Sequence, residues 1–461
     1  MAETPAWLQA ALAYIPQWLG YQMRATEQPG VSLAVAHRGE VVLECAFGSA
    51  DLGAGEALTP RHRFRVASHS KSFTAAAVMK LREQGRLKLD DTAGQYVRGL
   101  HPRVAEATVA QLLSHSAGLF RDGIDSSYWS GREPFSDEAR LRQDLCLPPV
   151  IDPATRLKYS NHGFGLAGLI IEAVAGEPYR AWIEREIVAP AGLAETTADT
   201  PLPSGAPLAR GHSGKALLGR RLVFPGDQPT NALAPATGFV STAGDLAKFF
   251  SQLAPTARTS FLSAGSRREM SRPQWRDEYS ALERRYGLGT ISGSLDGWDW
   301  FGHSGGFQGY ITRSSVVPAK DLAVSVLTNA ADGPAELWIE GALQILKRFE
   351  ADGAPRFDAA GWSGRWWSVW GPSDLVPVGD KVLLAAPGLA NPFGKVAEAV
   401  VEAPDTARMV EAGGFAAYGE PVRLVRGEDG RVASVWIGSG ELFPEAVLRE
   451  ELLDRYGRPT A

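Results

Sequence analysis

The sequence predicts an α+β protein with a small antiparallel β-domain at its C-terminal end. Three observations predict it. Two hairpin signals lie far apart. One is Val31–Ala36 with Glu40–Phe47, joined by His37-Arg38-Gly39; the other is Ile311–Val317 with Leu322–Leu327, joined by Pro318-Ala319-Lys320-Asp321. Between them run apolar helical stretches. Beyond residue 350 the chain turns to short β-like runs broken by Gly and Pro.

Composition bounds the classes. At 461 residues the length prior is about three domains, and large enzymes often use more residues per domain. Hydrophobic content of 44% with 21% charged residues fits a soluble globular chain. Net charge is −5 and no Lys/Arg block stands out, which argues against nucleic acid as a main partner. Cys45 and Cys146 read as buried free thiols, and no CxxC or His-rich spacing suggests a metal. No basic leader region opens the sequence, and no run reaches 18 apolar residues. The expectation is a cytoplasmic protein that does not span a membrane.

The elements follow in order. Residues 5–25 read as an amphipathic helix on Trp7, Leu8, Leu12, Ile15, Trp18 and Leu19, with Pro16 as a kink site. After the first hairpin comes a helix apolar on nearly every side, Phe73-Thr74-Ala75-Ala76-Ala77-Val78-Met79, so it should be interior. Thr108–Leu113 reads as a short helix before Ser114-His115-Ser116-Ala117-Gly118. Residues 120–157 are polar and poor in periodicity, a candidate roof for a pocket. Leu166–Ala175, 178–197, Ala243–Leu253 and 334–350 read as helices, and 200–232 as Pro/Gly-rich loop.

Ser68 and Lys71 start the interior helix. At three residues apart they share one helix face. Ser68 can cap the first turn. A lysine held dry near a helix N-terminus has its ammonium form disfavoured, and a neutral amine can take the serine proton. The bland alternative is a capping serine beside a snorkelling lysine. Tyr159 and Asn161 stand in the loop entering the next apolar helix. A tyrosine near a lysine can relay protons, and an asparagine offers both donor and acceptor to an amide. His303-Ser304-Gly305-Gly306 adjoins the second hairpin, where glycine lets backbone approach a ligand and a bare N–H completes an oxyanion hole. His115 is a tempting base, with a turn hydrogen bond as the plainer reading.

Taken together, Ser68-x-x-Lys71, Tyr159-x-Asn161 and His303-x-Gly305 resemble the serine β-lactamase-like and penicillin-binding-protein superfamily. That group includes class C β-lactamases, D-Ala-D-Ala carboxypeptidases, D-aminopeptidases and family VIII esterases. The flanks Leu112–Leu119, Thr237-Gly238, Tyr286-Gly287-Leu288-Gly289 and Gly302–Gly306 resemble it too. The resemblance implies an antiparallel sheet flanked by helices plus an all-helical lobe, with the site in the cleft between them. It implies Ser68 as nucleophile, with Lys71 and Tyr159 sharing the proton work. It implies Asn161, His303, Ser304, Gly305 and Gly306 on the substrate, with the Ser68 and Gly306 N–H groups on the oxyanion. No cofactor is implied. His-Ser-Gly replaces the Lys-Thr-Gly usual in β-lactamases, so a fixed cation for a substrate carboxylate is missing.

Residues 1–350 thus read as the catalytic domain and 351–461 as a C-terminal β-rich domain, similar in placement to lipocalin-like appendages of D-aminopeptidases. That domain could shape the cleft, mediate a homo-oligomer or serve as a stabilising cap. The functional expectation is a serine hydrolase acting on amide or peptide bonds of a small-molecule or short-peptide substrate. A carboxylesterase or acyl transferase is the alternative, ahead of a β-lactamase or a non-catalytic binding protein.

Overall fold

The structure, a computed structural model, describes residues 4–279, 284–394 and 396–457. The chain gathers into two compact units: Gln28–Ile339, and a second joining the N-terminal segment through Glu27 to the chain from Glu340 onward.

The first unit is built on a nine-stranded sheet. Its spatial order is Glu56–Ala57, Glu40–Asp51, Gly30–His37, Leu322–Thr328, Tyr310–Val317, Trp298–Phe307, Ile291–Leu295, Arg285–Tyr286, Trp275–Arg276. Every neighbour pair is antiparallel. The first hairpin closes through Arg38 and Gly39 at φ of 55° and 88°. Two successive left-handed residues match the twist of paired strands, and Gly39 adopts that backbone without a Cβ penalty. Gly30–His37 and Leu322–Thr328 are buried along their whole length, as mid-sheet strands covered on both faces must be.

Between residues 66 and 271 the described chain is helix and loop, with strands of only two residues. The helix Ser70–Glu83 forms its axis. Phe73 through Met79 are wholly buried. Phe73 stacks between Phe239 at 4.2 Å and Phe249 at 3.7 Å, and such ring pairs contribute about 0.5–1.5 kcal/mol each beyond area burial. The helix Ala243–Leu253, capped by the Thr242 hydroxyl on the Asp245 N–H, carries Phe249 against that stack.

The second unit holds the helix Ala6–Ala25, which continues through Pro16, and an eight-stranded antiparallel meander. Its strands are Gly364–Ser368, Gly371–Val378, Lys381–Ala385, Ala397–Ala403, Thr406–Glu411, Pro421–Arg426, Val432–Ile437 and Gly440–Leu442. Trp367 and Phe443 exchange backbone hydrogen bonds of 2.7 and 2.9 Å, so the first strand meets the end of the last and the sheet curls closed. Trp362, Trp366, Leu375, Val382, Met409, Val422 and Val435 fill it. Asp374, 2% exposed, accepts from Tyr14 at 2.9 Å and from both ends of the Arg365 fork at 2.7 and 2.8 Å. That clasp makes the N-terminal helix part of this unit.

Two sequence expectations change. The helix read over 178–197 is an α-turn pair Tyr179–Ile183 continuing as a π-turn Glu184–Val188. Pro190 and Gly192 follow, one lacking a donor and one at φ 67°, and they end it. Within the irregular stretch 120–157 lies a helix, Glu138–Leu145, capped by Asp137 on Arg140 N–H at 2.9 Å. Only Leu141 and Leu145 of it are buried, so its apolar stripe was too narrow to register as periodic.

Candidate active site

Ser68 sits in the middle of a 3-10 turn, Ala67–His69, that runs straight into the helix Ser70–Glu83. Ala67 is held at φ 49°, an unfavourable left-handed backbone for alanine, of the kind that clusters at functional sites. The capping role read for Ser68 is not realised. The residue lies inside the turn rather than at the cap position, and neither the turn nor the helix has a side-chain cap bond. Ser70 braces the turn instead, donating to the Ala67 carbonyl at 2.6 Å and accepting from Phe239 N–H at 3.0 Å.

That leaves the Ser68 hydroxyl free for two other partners. Lys71 Nζ is 3.2 Å from Ser68 Oγ, and the Tyr159 hydroxyl is 2.8 Å from it. Lys71 is 0% exposed. Burial drives its pKa well below the lysine range; Asp122 opposes the shift and Arg121 adds to it. Burial likewise pushes the Tyr159 phenol up, so the interior disfavours the charged form of both groups. Lys71 Nζ also contacts Asn161 Oδ1 at 2.7 Å and the Ala236 carbonyl at 2.8 Å. Two of its three partners can only accept. Nζ donates to both and to Ser68 Oγ; once deprotonated it keeps two hydrogens for the two carbonyl oxygens and turns a lone pair to the Ser68 O–H.

Local sequence explains how Asn161 arrives there. The residue between Tyr159 and Asn161 is the helix cap: Ser160 Oγ accepts from Gly163 N–H at 2.8 Å. Asn161 is therefore the first helical residue, released from capping. Its amide donates to Asp122 Oδ1 at 2.6 Å, and Asp122 also accepts from Trp129 Nε1 at 3.0 Å. Asp122 carries no motif signal and escaped the sequence reading, as did the Ala236 carbonyl; only the folded chain brings them to Lys71.

The third motif lies on Trp298–Phe307. His303 is 1% exposed; its ring faces Tyr286 at 3.1 Å and the Ser304 carbonyl at 2.7 Å. Burial, with His69 and Lys71 nearby, holds its pKa well below normal. Ser304 is partly exposed and Gly306 exposed. The close approach at Gly305 is to protein rather than to open space. An added Cβ would stand 2.2 Å from the Val66 carbonyl, so this glycine lets the strand press on the Ser68 turn. The stretch 120–157 is fastened here as well. The Gln308 amide donates to the Tyr128 and Trp129 carbonyls at 3.0 and 2.8 Å, and Phe135 stacks on Phe307 at 5.6 Å.

His115, the tempting base, is buried behind Tyr159, with ring centroids 4.1 Å apart. Its Nδ1 accepts from Ser160 N–H at 3.1 Å, and Nε2 meets Tyr286 at 3.1 Å. It touches none of Ser68, Lys71 or open cleft among its hydrogen bonds. Among the described residues no His/Cys/Asp/Glu group is arranged to hold a metal, and no helix is long and apolar enough to cross a membrane.

A part-buried serine–lysine–tyrosine contact thus lies where a helical region meets the strand Trp298–Phe307 of an antiparallel sheet. The family model for Beta-lactamase matches residues 16–346, and the chain belongs to that family. It is similar to penicillin-binding protein 4 of Amycolatopsis lactamdurans, 28% identical over 318 residues, covering 65% of this chain and 81% of that protein. The match to protein flp of Staphylococcus aureus (strain COL) spans only 34% of that protein. Among solved structures, the octameric penicillin-binding protein homologue from Pyrococcus abyssi aligns with TM-score 0.66 at 24% identity, over 94% of this chain and 98% of that one. A D-stereospecific amidohydrolase from Streptomyces sp. aligns with TM-score 0.58 at 25% identity, over 71% and 98%.

Proposed function

We propose that the chain is a serine hydrolase that cleaves amide or peptide bonds through an acyl-enzyme on Ser68, with short D-configured aminoacyl compounds as the preferred substrates. The observation that carries the reading is the meeting of Lys71 Nζ and the Tyr159 hydroxyl on Ser68 Oγ, at 3.2 and 2.8 Å, with burial lowering the lysine pKa. In this reading Ser68 Oγ attacks the substrate carbonyl carbon while its proton passes to Lys71 Nζ. The N–H groups of Ser68 and Gly306 hold the developing oxyanion. The C–N bond then breaks as Tyr159 protonates the departing nitrogen, and the Lys71 ammonium restores the phenol. Water, deprotonated by the same amine, opens the Ser68 ester. Asn161 orients Lys71 and offers its amide to the substrate; Ser304 donates one further hydrogen bond. His303 has both ring nitrogens engaged, so its role is to hold the strand rather than to charge-pair with a carboxylate.

The D-preference and the amide class draw support from the likeness to the Streptomyces amidohydrolase. A homo-oligomer belongs to the same proposal, by likeness to the octameric homologue. Residues 1–350 are proposed to carry the chemistry, with 351–461 as a lipocalin-like accessory.

The test offers D- and L-aminoacyl anilides, p-nitrophenyl acyl esters and a chromogenic cephalosporin to wild type and Ser68→Ala. Anilide turnover lost in the variant supports the reading. Ester turnover without anilide turnover replaces it with the carboxylesterase alternative. No Ser68 adduct by mass spectrometry with any reactive acyl probe overturns hydrolysis altogether.

A further inference from the structure

One buried tyrosine outside the reacting trio ties the two halves of the site together. Tyr286 is 4% exposed, on the short strand Arg285–Tyr286. Its hydroxyl lies 3.1 Å from His115 Nε2 and 3.1 Å from His303 Nε2. The outer nitrogen of each ring fixes which way the protons point. Ser160 N–H can only donate, so His115 Nδ1 is bare and the neutral ring carries its proton on Nε2. The Ser304 carbonyl can only accept, so His303 carries its proton on Nδ1 and Nε2 is bare. The chain then has one consistent direction: Ser160 N–H to His115, His115 to the Tyr286 oxygen, Tyr286 O–H to His303, and His303 to the Ser304 carbonyl. A second proton on either ring would set two donors face to face. Burial agrees, lowering both histidine pKa values and raising that of Tyr286.

The ends of this chain are its meaning. Ser160 lies between Tyr159 and Asn161. Ser304 precedes Gly305, which presses on the nucleophile turn, and Gly306. His115 also backs the Tyr159 ring. We propose that Tyr286 is a positioning residue whose hydroxyl locks the Tyr159–Asn161 segment and the Ser304–Gly306 strand at a fixed separation, through two histidines of opposite tautomer. Its kinetic consequence rests on the hydrolase reading above; the tautomers do not.

The experiment is long-range proton–nitrogen NMR on histidine-labelled full-length protein at pH 7, with signals assigned by substitution. His115 is expected as the Nε2–H form and His303 as the Nδ1–H form, neither as imidazolium. Tyr286→Phe keeps the ring and removes the link. It is expected to lower kcat on a small acyl ester about tenfold, the scale of one lost hydrogen bond, with KM within twofold. Like tautomers, an imidazolium at either position, or a Tyr286→Phe enzyme with wild-type kcat would overturn the proposal. If wild type acylates nothing, the hydrolase reading falls while opposite tautomers still uphold the link. If wild type turns over and the tautomers match, the link alone falls.

Discussion

Asp122 offers the sharpest test of how Lys71 is held. Asp122→Asn keeps the shape of the side chain and removes its charge. Two effects follow with separable signs. First, the Asn161 amide loses a charge-assisted acceptor at 2.6 Å, so the oxygen it presents to Lys71 is less well fixed. A hydrogen bond to a charged group contributes about 1.5–3 kcal/mol, which at about 1.36 kcal/mol per decade is roughly ten- to a hundredfold in rate. Second, Asp122 is the group that raises the Lys71 pKa, against burial and Arg121. Removing its charge lowers that pKa further. The amine is active when deprotonated, so activity is lost as pH falls through the Lys71 pKa. The acid limb of the kcat/KM profile therefore moves to lower pH in Asp122→Asn, even as the plateau drops. The assay is the pH dependence of hydrolysis of a neutral acyl ester. A double-mutant cycle with Asn161→Ala should show that the two losses do not add. An acid limb displaced upward, or a plateau at the wild-type level, would refute this account of the lysine.

Other outcomes follow from the same contacts. Tyr159→Phe keeps the ring on His115 but removes the proton at Ser68; at least about a hundredfold loss is expected on an anilide and less on an activated ester, read as the ratio of the two rates. Lys71→Ala should cost at least about a hundredfold in acylation, followed by mass of the Ser68 adduct in a stopped time course. Gly305→Ala forces a methyl to within 2.2 Å of the Val66 carbonyl, so kcat should collapse while a folded circular dichroism spectrum persists; wild-type turnover would show that the strand can retreat freely. In the second unit, Asp374→Ala leaves Arg365 and Tyr14 without their shared acceptor, and a loss of about 3–5 kcal/mol is expected from urea unfolding of the full chain.

Local chemistry made much of this protein readable before folding. The hairpin at Arg38-Gly39, the all-buried helix after Ser68, the helix Ala243–Leu253 and the strands Tyr310–Val317 and Leu322–Thr328 depend on neighbours within a few residues, so their patterns survive in one dimension. The Ser68–Lys71 contact is of the same kind, set by helix spacing alone. The strands Ala397–Ala403 and Thr406–Glu411 were less readable, because their outward residues Glu398, Glu402, Arg408 and Glu411 dilute the β signal.

What the chain could not announce is which distant groups would share a hydrogen bond. Asp122 reaches Asn161 across 39 residues, Ala236 reaches Lys71 across 165, and Tyr286 reaches His115 across 171. Nothing in spacing or composition marks these, since a lone aspartate, a backbone carbonyl or a buried tyrosine has countless equally good alternatives in sequence. The sequence by itself determined which side chains could do acyl chemistry. Packing decided which way their pKa values move, because burial makes an ammonium costly, and only a folded interior supplies both the burial and the partners that hold Lys71 against Ser68.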